Sequence, residues 1–180
     1  MMILYIDNFK KKGFTLIELL IVVAIIGILA AVGAAVIPGL LENTKVKATR
    51  SNHNEIVKFA KTASIQCEMG GEVGTNPPSV SMMQFHGVNQ KVACNSSLDN
   101  WRSAIREHFI GSGWKNPYNS SETQAQQGGG TPGEPGWTYF STPPSGGQKS
   151  GLTITTCIGP IGHNCPVYEM SVIACGACSP

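Results

Sequence analysis

The sequence predicts an α+β protein, with one long N-terminal helix packed through its second half against a small antiparallel sheet. Three observations lead there. Residues 19–41 form a run of 23 residues without a charged side chain, long enough to cross a bilayer as a helix. From residue 42 onward, apolar and small side chains recur at three-and-four spacing, the mark of a helix with one buried face. Finally, 17 of the 21 glycines and 10 of the 11 prolines lie at or beyond Gly70, which breaks the remainder into short elements and turns. Charge narrows the function classes. Only 13% of residues are charged and the formal net charge is +2, which excludes a coiled-coil rod and a charge-rich disordered chain. It also provides no basic face of the kind that binds nucleic acid, so no specific nucleic-acid partner is expected.

At the N-terminus, Lys10, Lys11 and Lys12 stand directly before the apolar run. A secretory signal ends its apolar core with small residues in an A-x-A-like cut. Here the run is too long, and nothing at Ala30-Ala31 closes it in that way. On length and charge alone the segment reads as an uncleaved anchor with its lysines on the cytoplasmic side. Glu18 is the physical oddity, because a carboxylate this near the hydrocarbon costs on the order of a few kcal/mol unless something neutralises it. A cut after Gly13 would create an ammonium at Phe14, four residues from Glu18 on the same helical face.

The order Lys11-Lys12-Gly13-Phe14-Thr15-Leu16-Ile17-Glu18, followed by Leu19-Leu20-Ile21-Val22-Val23-Ala24, resembles the class III leader junction of type IV pilins and of the pseudopilins of type II secretion. That resemblance implies cleavage between Gly13 and Phe14 by a prepilin peptidase, N-methylation of Phe14, and retention of the apolar helix in the mature chain. It implies that Glu18 docks an incoming subunit against the terminal amine of its neighbour. The expected organisation is a leader at 1–13, a transmembrane and assembly helix at 14–41, and a periplasmic or extracellular head at 42–180 that includes the amphipathic half of the helix. Losing residues 1–13 removes Lys10, Lys11, Lys12 and Asp7, so the apparent positive charge belongs to the leader and the mature subunit is neutral.

The helix is predicted to continue to about Met69. Its buried stripe reads Val46, Thr49, His53, Ile56, Ala60, Ala63 and Cys67, with His53 a packed or hydrogen-bonded core histidine. Lys45, Lys47, Arg50, Lys58 and Lys61 fall mostly off that stripe. Pro38-Gly39 predicts a kink or a locally melted segment. Related pilins commonly carry a proline in this stretch, a few residues earlier than here. Gly27, Gly33 and the adjoining alanines suit close packing among helices in a bundle.

In the remainder, 70–90 reads as a surface connection with little regular structure. Residues 97–110 read as an amphipathic helix that Ser97 caps, that Leu98, Trp101, Ile105 and Phe109 anchor, and that Gly111 stops. Trp114-Lys115-Asn116-Pro117-Tyr118-Asn119 is a turn flanked by aromatics, similar to the Asn-Pro-Tyr turn of many pilin-like heads. Residues 127–136 read as a flexible loop, and strands are predicted at 137–139, 152–158 and 167–174.

The six cysteines are Cys67, Cys94, Cys157, Cys165, Cys175 and Cys178. In a head outside the cytoplasm an even count suggests disulfides. The favoured pairing joins Cys67 to Cys94, with the four others stapling the last hairpin, Cys157 to Cys165 among them. The alternative is a zinc site from His163, Cys165, Cys175 and Cys178.

No nucleophile elbow, zinc-protease, phosphate-loop or dinucleotide motif is present in the sequence. Glu107-His108 reads as a solvated pair, so no catalytic residue, cofactor or metal is expected. The resemblance implies a structural subunit of a type IV pilus, polymerised through its N-terminal helix and serving adhesion, twitching motility or DNA uptake. Its partners would be copies of itself, the prepilin peptidase, the inner-membrane assembly machinery and, before assembly, the lipid bilayer. The subunit pool would lie in the inner membrane and the fibre outside the cell. The alternatives are a pseudopilin or minor pilin and, in another class, a monomeric membrane-anchored binding module.

Overall fold

A computed structural model describes residues 13–83, 88–127, 132–142, 151–159, 165 and 168–174. Lys10, Lys11, Lys12, His163, Cys175 and Cys178 lie outside the described residues. The elements in chain order are α1 (Leu16–Glu68), β1 (Ser79–Met83), β2 (Asn89–Ala93), α2 (Leu98–Gly111), β3 (Ala125–Gln127), β4 (Thr138–Ser141), β5 (Gly151–Cys157) and β6 (Tyr168–Ala174). The chain divides into two units, 1–41 and 42–180.

In the first unit the chain is helical from Leu16 and its large apolar side chains are uncovered, with Leu29 at 66% and Leu40 at 65% of full exposure. By length and composition this helix can cross a membrane. The locally melted segment expected at Pro38-Gly39 is absent, since both residues are helical within α1. Proline removes one donor from the ladder and leaves the neighbouring bonds to hold the turn.

In the second unit the predicted stripe is the buried face of α1 from Thr49 to Cys67, Val57 and Ser64 join it, and Val46 is only half-buried. The core is one cluster. Ile56, Ala60 and Ala63 of α1 pack with Trp101, Ile105 and Phe109 of α2, and with Phe140, Leu152, Ile154 and Ile173 of the strands. Ser97 caps α2, its hydroxyl accepting from the Asn100 N–H, and satisfies a donor the first turn leaves orphaned. Gly111 does not stop this helix. It is the last helical residue, Ser112 is the cap, and Gly113 takes the left-handed conformation with φ 77°.

Two sheets form where one was expected. β1 and β2 make an antiparallel pair, Ser79 opposite Ala93; β1 lies inside the stretch 70–90 expected to be irregular, and β2 begins at its end. The chain reaches β1 through Gly71, whose φ is +70° and where a Cβ would sit 2.7 Å from the Ser79 nitrogen, so glycine is required. The second sheet has the order β3-β4-β5-β6. Its β4-β5 and β5-β6 pairings are antiparallel, whereas β3 runs parallel to β4. β3 begins at Ala125 and ends at Gln127, so the start of the expected loop at 127–136 is strand. Only 127 and 132–136 of that segment are described.

Cys67 and Cys94 form a disulfide between the end of α1 and the end of β2, 27 residues apart in sequence. Cys157 and Cys165 form a second, closing a separation of 8. Cys165 is therefore not available as a thiolate ligand. The first bridge encloses the whole β1-β2 hairpin, and closing a loop of that length restricts the unfolded chain by roughly 3–4 kcal/mol. The double variant C67A/C94A is expected to lose about that much stability in equilibrium denaturant unfolding. An unchanged midpoint would show that packing alone holds the hairpin.

Candidate processing and assembly site

Sequence sets this site locally. Gly13, Phe14 and Thr15 precede the first helical residue, Leu16, and are exposed. The Gly13–Phe14 peptide bond therefore lies in non-helical chain, and nothing stands within 4 Å of where a Gly13 Cβ would be. Phe14 is 89% exposed and Leu16 88%. A protease that grips extended backbone could reach this bond with no turn of helix to unwind.

Glu18 is already engaged within its own chain. The Thr15 N–H and the Thr15 hydroxyl both donate to Glu18 Oε2 at 2.8 Å. In return the Glu18 N–H donates to Thr15 Oγ1 at 3.3 Å. With Leu16 as the first helical residue, Thr15 is the N-cap and Glu18 the third position, so the two form a reciprocal capping box. The carboxylate also lies at the positive end of the helix macrodipole. Oε1 has no hydrogen-bond partner among the described residues, leaving it free to meet a cation. Thr15 was not singled out from the sequence, although the Thr-x-x-Glu spacing ahead of an apolar run signals this cap.

A second polar cluster lies under α1 in the head. Nδ1 of His53, a side chain that is 1% exposed, is 2.8 Å from Thr156 Oγ1, and its Nε2 is 3.0 Å from Ser171 Oγ. Thr156 Oγ1 is 2.7 Å from Thr138 Oγ1, which accepts from Gln124 Nε2 at 3.2 Å. Gln124 Oε1 accepts from Asn52 Nδ2. The chain of bonds thus leaves α1 at His53, crosses β5 and β4, and returns to α1 at Asn52. A neutral ring satisfies it. If the protons run from Gln124 through Thr138 and Thr156, Nδ1 accepts and Nε2–H donates to Ser171.

The Asn-Pro-Tyr turn is held from two sides. The buried Asn116 side chain donates from Nδ2 to Pro135 O at 3.0 Å and accepts the Tyr118 N–H at 2.8 Å. Tyr118 donates to Ile158 O at 3.3 Å, and Lys45 Nζ lies 5.6 Å from its ring centroid. Burial, followed by the Glu42 carboxylate, pushes the Tyr118 phenol up to about 12. A raised acid favours its neutral form in the folded state, so this stabilisation is complete below the ordinary tyrosine value of about 10 and declines as pH rises toward 12. Thermal unfolding of Y118F is expected to show a shallower loss across that alkaline window than the parent. Parallel curves would remove Tyr118 as the cause.

His108 is not the solvated side chain the sequence suggested. Its ring stacks on Phe59 with centroids 4.0 Å apart, and burial pushes its pKa down. Among the described residues no group of three or more His, Cys, Asp or Glu side chains could hold a metal ion. The remaining residues of the zinc alternative lie outside the described ones. The structure gathers Gly13, Phe14 and Glu18 at one helix end, while Pro38 and Gly39 lie farther along α1 and the described cysteines in the head.

One comparison with known proteins falls on the same helix end. Residues 8–34 match the prokaryotic N-terminal methylation motif. The chain is 37% identical over 94 residues to the fimbrial protein EcpB of Eikenella corrodens, a match covering 48% of this chain and 57% of that protein. The chain thus spans little more than half the length of the curated relative it matches. No solved structure matches.

Proposed function

We propose that this chain, whose methylation motif and likeness to a fimbrial protein support a type IV pilin, is a fibre subunit cut between Gly13 and Phe14 and polymerised through α1. One observation carries the reading: the matched motif at 8–34 takes in the start of a helix whose membrane-length apolar window contains no buried residue. Surface of that kind needs a cover. The bilayer covers it before assembly, and the helices of other copies cover it in the fibre. Cleavage before the apolar run, rather than after it, is what lets one segment serve both roles. The head then remains outside the cytoplasm, where its disulfides persist. The prepilin peptidase and the inner-membrane assembly machinery act on the N-terminal segment, and copies of the chain are its partners in the fibre. Adhesion, motility or DNA uptake would be the work of the assembled fibre.

The test is the N-terminus of the protein recovered from sheared surface fibres. The expected first residue is an N-methylated Phe14. A chain found only in membranes with residues 1–13 intact would overturn the reading in favour of a monomeric anchor.

A further inference from the structure

Two stretches of the head have the Asn-x-Ser pattern of an N-linked sugar acceptor, Asn95-Ser96-Ser97 and Asn119-Ser120-Ser121. The structure separates them. At the first, the hydroxyl two residues on is committed, because Ser97 is the N-cap of α2 and accepts the Asn100 N–H. Asn95 directly follows Cys94, which the disulfide ties to α1. Modification there would have to draw the start of a packed helix into a transferase.

At the second, every part of the triplet is exposed. The loop that bears it is pinned at its base. The Asn116 N–H donates to Glu122 O at 3.0 Å, the Glu122 N–H to Asn119 O at 3.0 Å, and Lys115 pairs with Thr123. Asn119 therefore sits on a short protruding tip rather than in a packed surface. Its Oδ1 accepts the Ser121 hydroxyl at 2.6 Å and the Ser121 N–H at 3.2 Å. Those bonds use the side-chain oxygen alone, and Nδ2 has no hydrogen-bond partner among the described residues. The triplet thus presents its amide nitrogen to solvent, with the oxygen turned back onto the serine that the acceptor pattern requires.

We propose that Asn119 is a glycosylation site that takes an N-linked oligosaccharide once the head has been exported. The donor is an oligosaccharide carried on a lipid pyrophosphate, delivered by a membrane-bound transferase. Asn119 Nδ2 attacks the anomeric carbon. The nitrogen–carbon bond forms as the carbon–oxygen bond to pyrophosphate breaks. The lipid pyrophosphate leaves with the electron pair, and a transferase carboxylate takes the proton from Nδ2. No oxidation or reduction is involved. A sugar on this tip would add polar bulk to the outer face of the head without displacing any core contact.

The assignment rests on the exported-head reading above, and one sample tests the two separately. Protein purified without reduction from the cells that make it is digested, and the peptide containing Asn119 is weighed. The expected peptide is heavier by the oligosaccharide, and enzymatic release by amide cleavage leaves Asp at position 119. N119Q and S121A are expected to abolish the added mass, while S121T and N95Q keep it. An unmodified Asn119, or a sugar that survives N119Q, overturns the assignment. An intact Cys67–Cys94 disulfide in that same sample keeps the export reading standing, whereas free thiols there would sink both.

Discussion

Replacing His53 by alanine is expected to cost the head about 3–5 kcal/mol, a large share of the roughly 5–15 kcal/mol by which a domain of ordinary size is stable. Two losses combine. The ring is 1% exposed and fills space between α1 and the four-stranded sheet, so its removal leaves a cavity that the surroundings close only in part. It also takes one partner from each of two hydroxyls, Thr156 and Ser171, and a buried polar group stripped of its partner costs about 1–3 kcal/mol. H53Q should cost less, because a side-chain amide both donates and accepts and can restore part of the chain of bonds. Denaturant unfolding of the purified head, or of the full chain in detergent, reads both values. Equal losses for H53A and H53Q would mean that shape alone matters and that the polar chain contributes little.

That polar chain shows where sequence reading runs out. The stripe on α1 was legible because helical periodicity is a local property, repeated over many turns from Val46 to Cys67. Gly13, Phe14 and Glu18 were legible for a similar reason: they are contiguous, and their order carries the information. His53 could be read as a core residue but not as a bridge. Its two partners, Thr156 and Ser171, and the next links, Thr138 and Gln124, come from four other places in the chain, only Asn52 being its neighbour, and each is an ordinary polar residue where it stands.

The missed strands have separate causes. β1, Ser79–Met83, follows Gly70, Gly71, Gly74, Pro77 and Pro78, whose breaker signal swamped a five-residue strand. β3, Ala125–Gln127, contains no β-branched or aromatic residue; it is a strand because β4 pairs with it. Such a strand is defined by its neighbour rather than by its own propensity. Thr15 differs from these cases, since its capping signal was local and present.

The cap formed by Thr15 bears on the second large effect, at Glu18, because it gives that carboxylate two separable jobs. Within one chain Glu18 closes the capping box, for which glutamine serves as well as glutamate. Between chains it would supply a negative charge to the Phe14 ammonium that cleavage creates, and glutamine cannot do that. Separating the jobs requires two variants. E18Q keeps the cap and removes the charge, whereas T15A removes the cap and keeps the charge. If charge pairing drives docking, E18Q inserts into the membrane and is cleaved at Gly13 yet yields essentially no fibres. T15A still assembles, at a helix cost of about 0.5–2 kcal/mol. A buried charge that has lost its partner is far worse off than a pair that meets, by roughly 3–5 kcal/mol. That is a factor of hundreds or more in subunit addition, so the difference should be all-or-none in a sheared-fibre assay. Normal fibres from E18Q together with few from T15A would reverse the argument, making the helix start, rather than the charge, the feature that assembly reads.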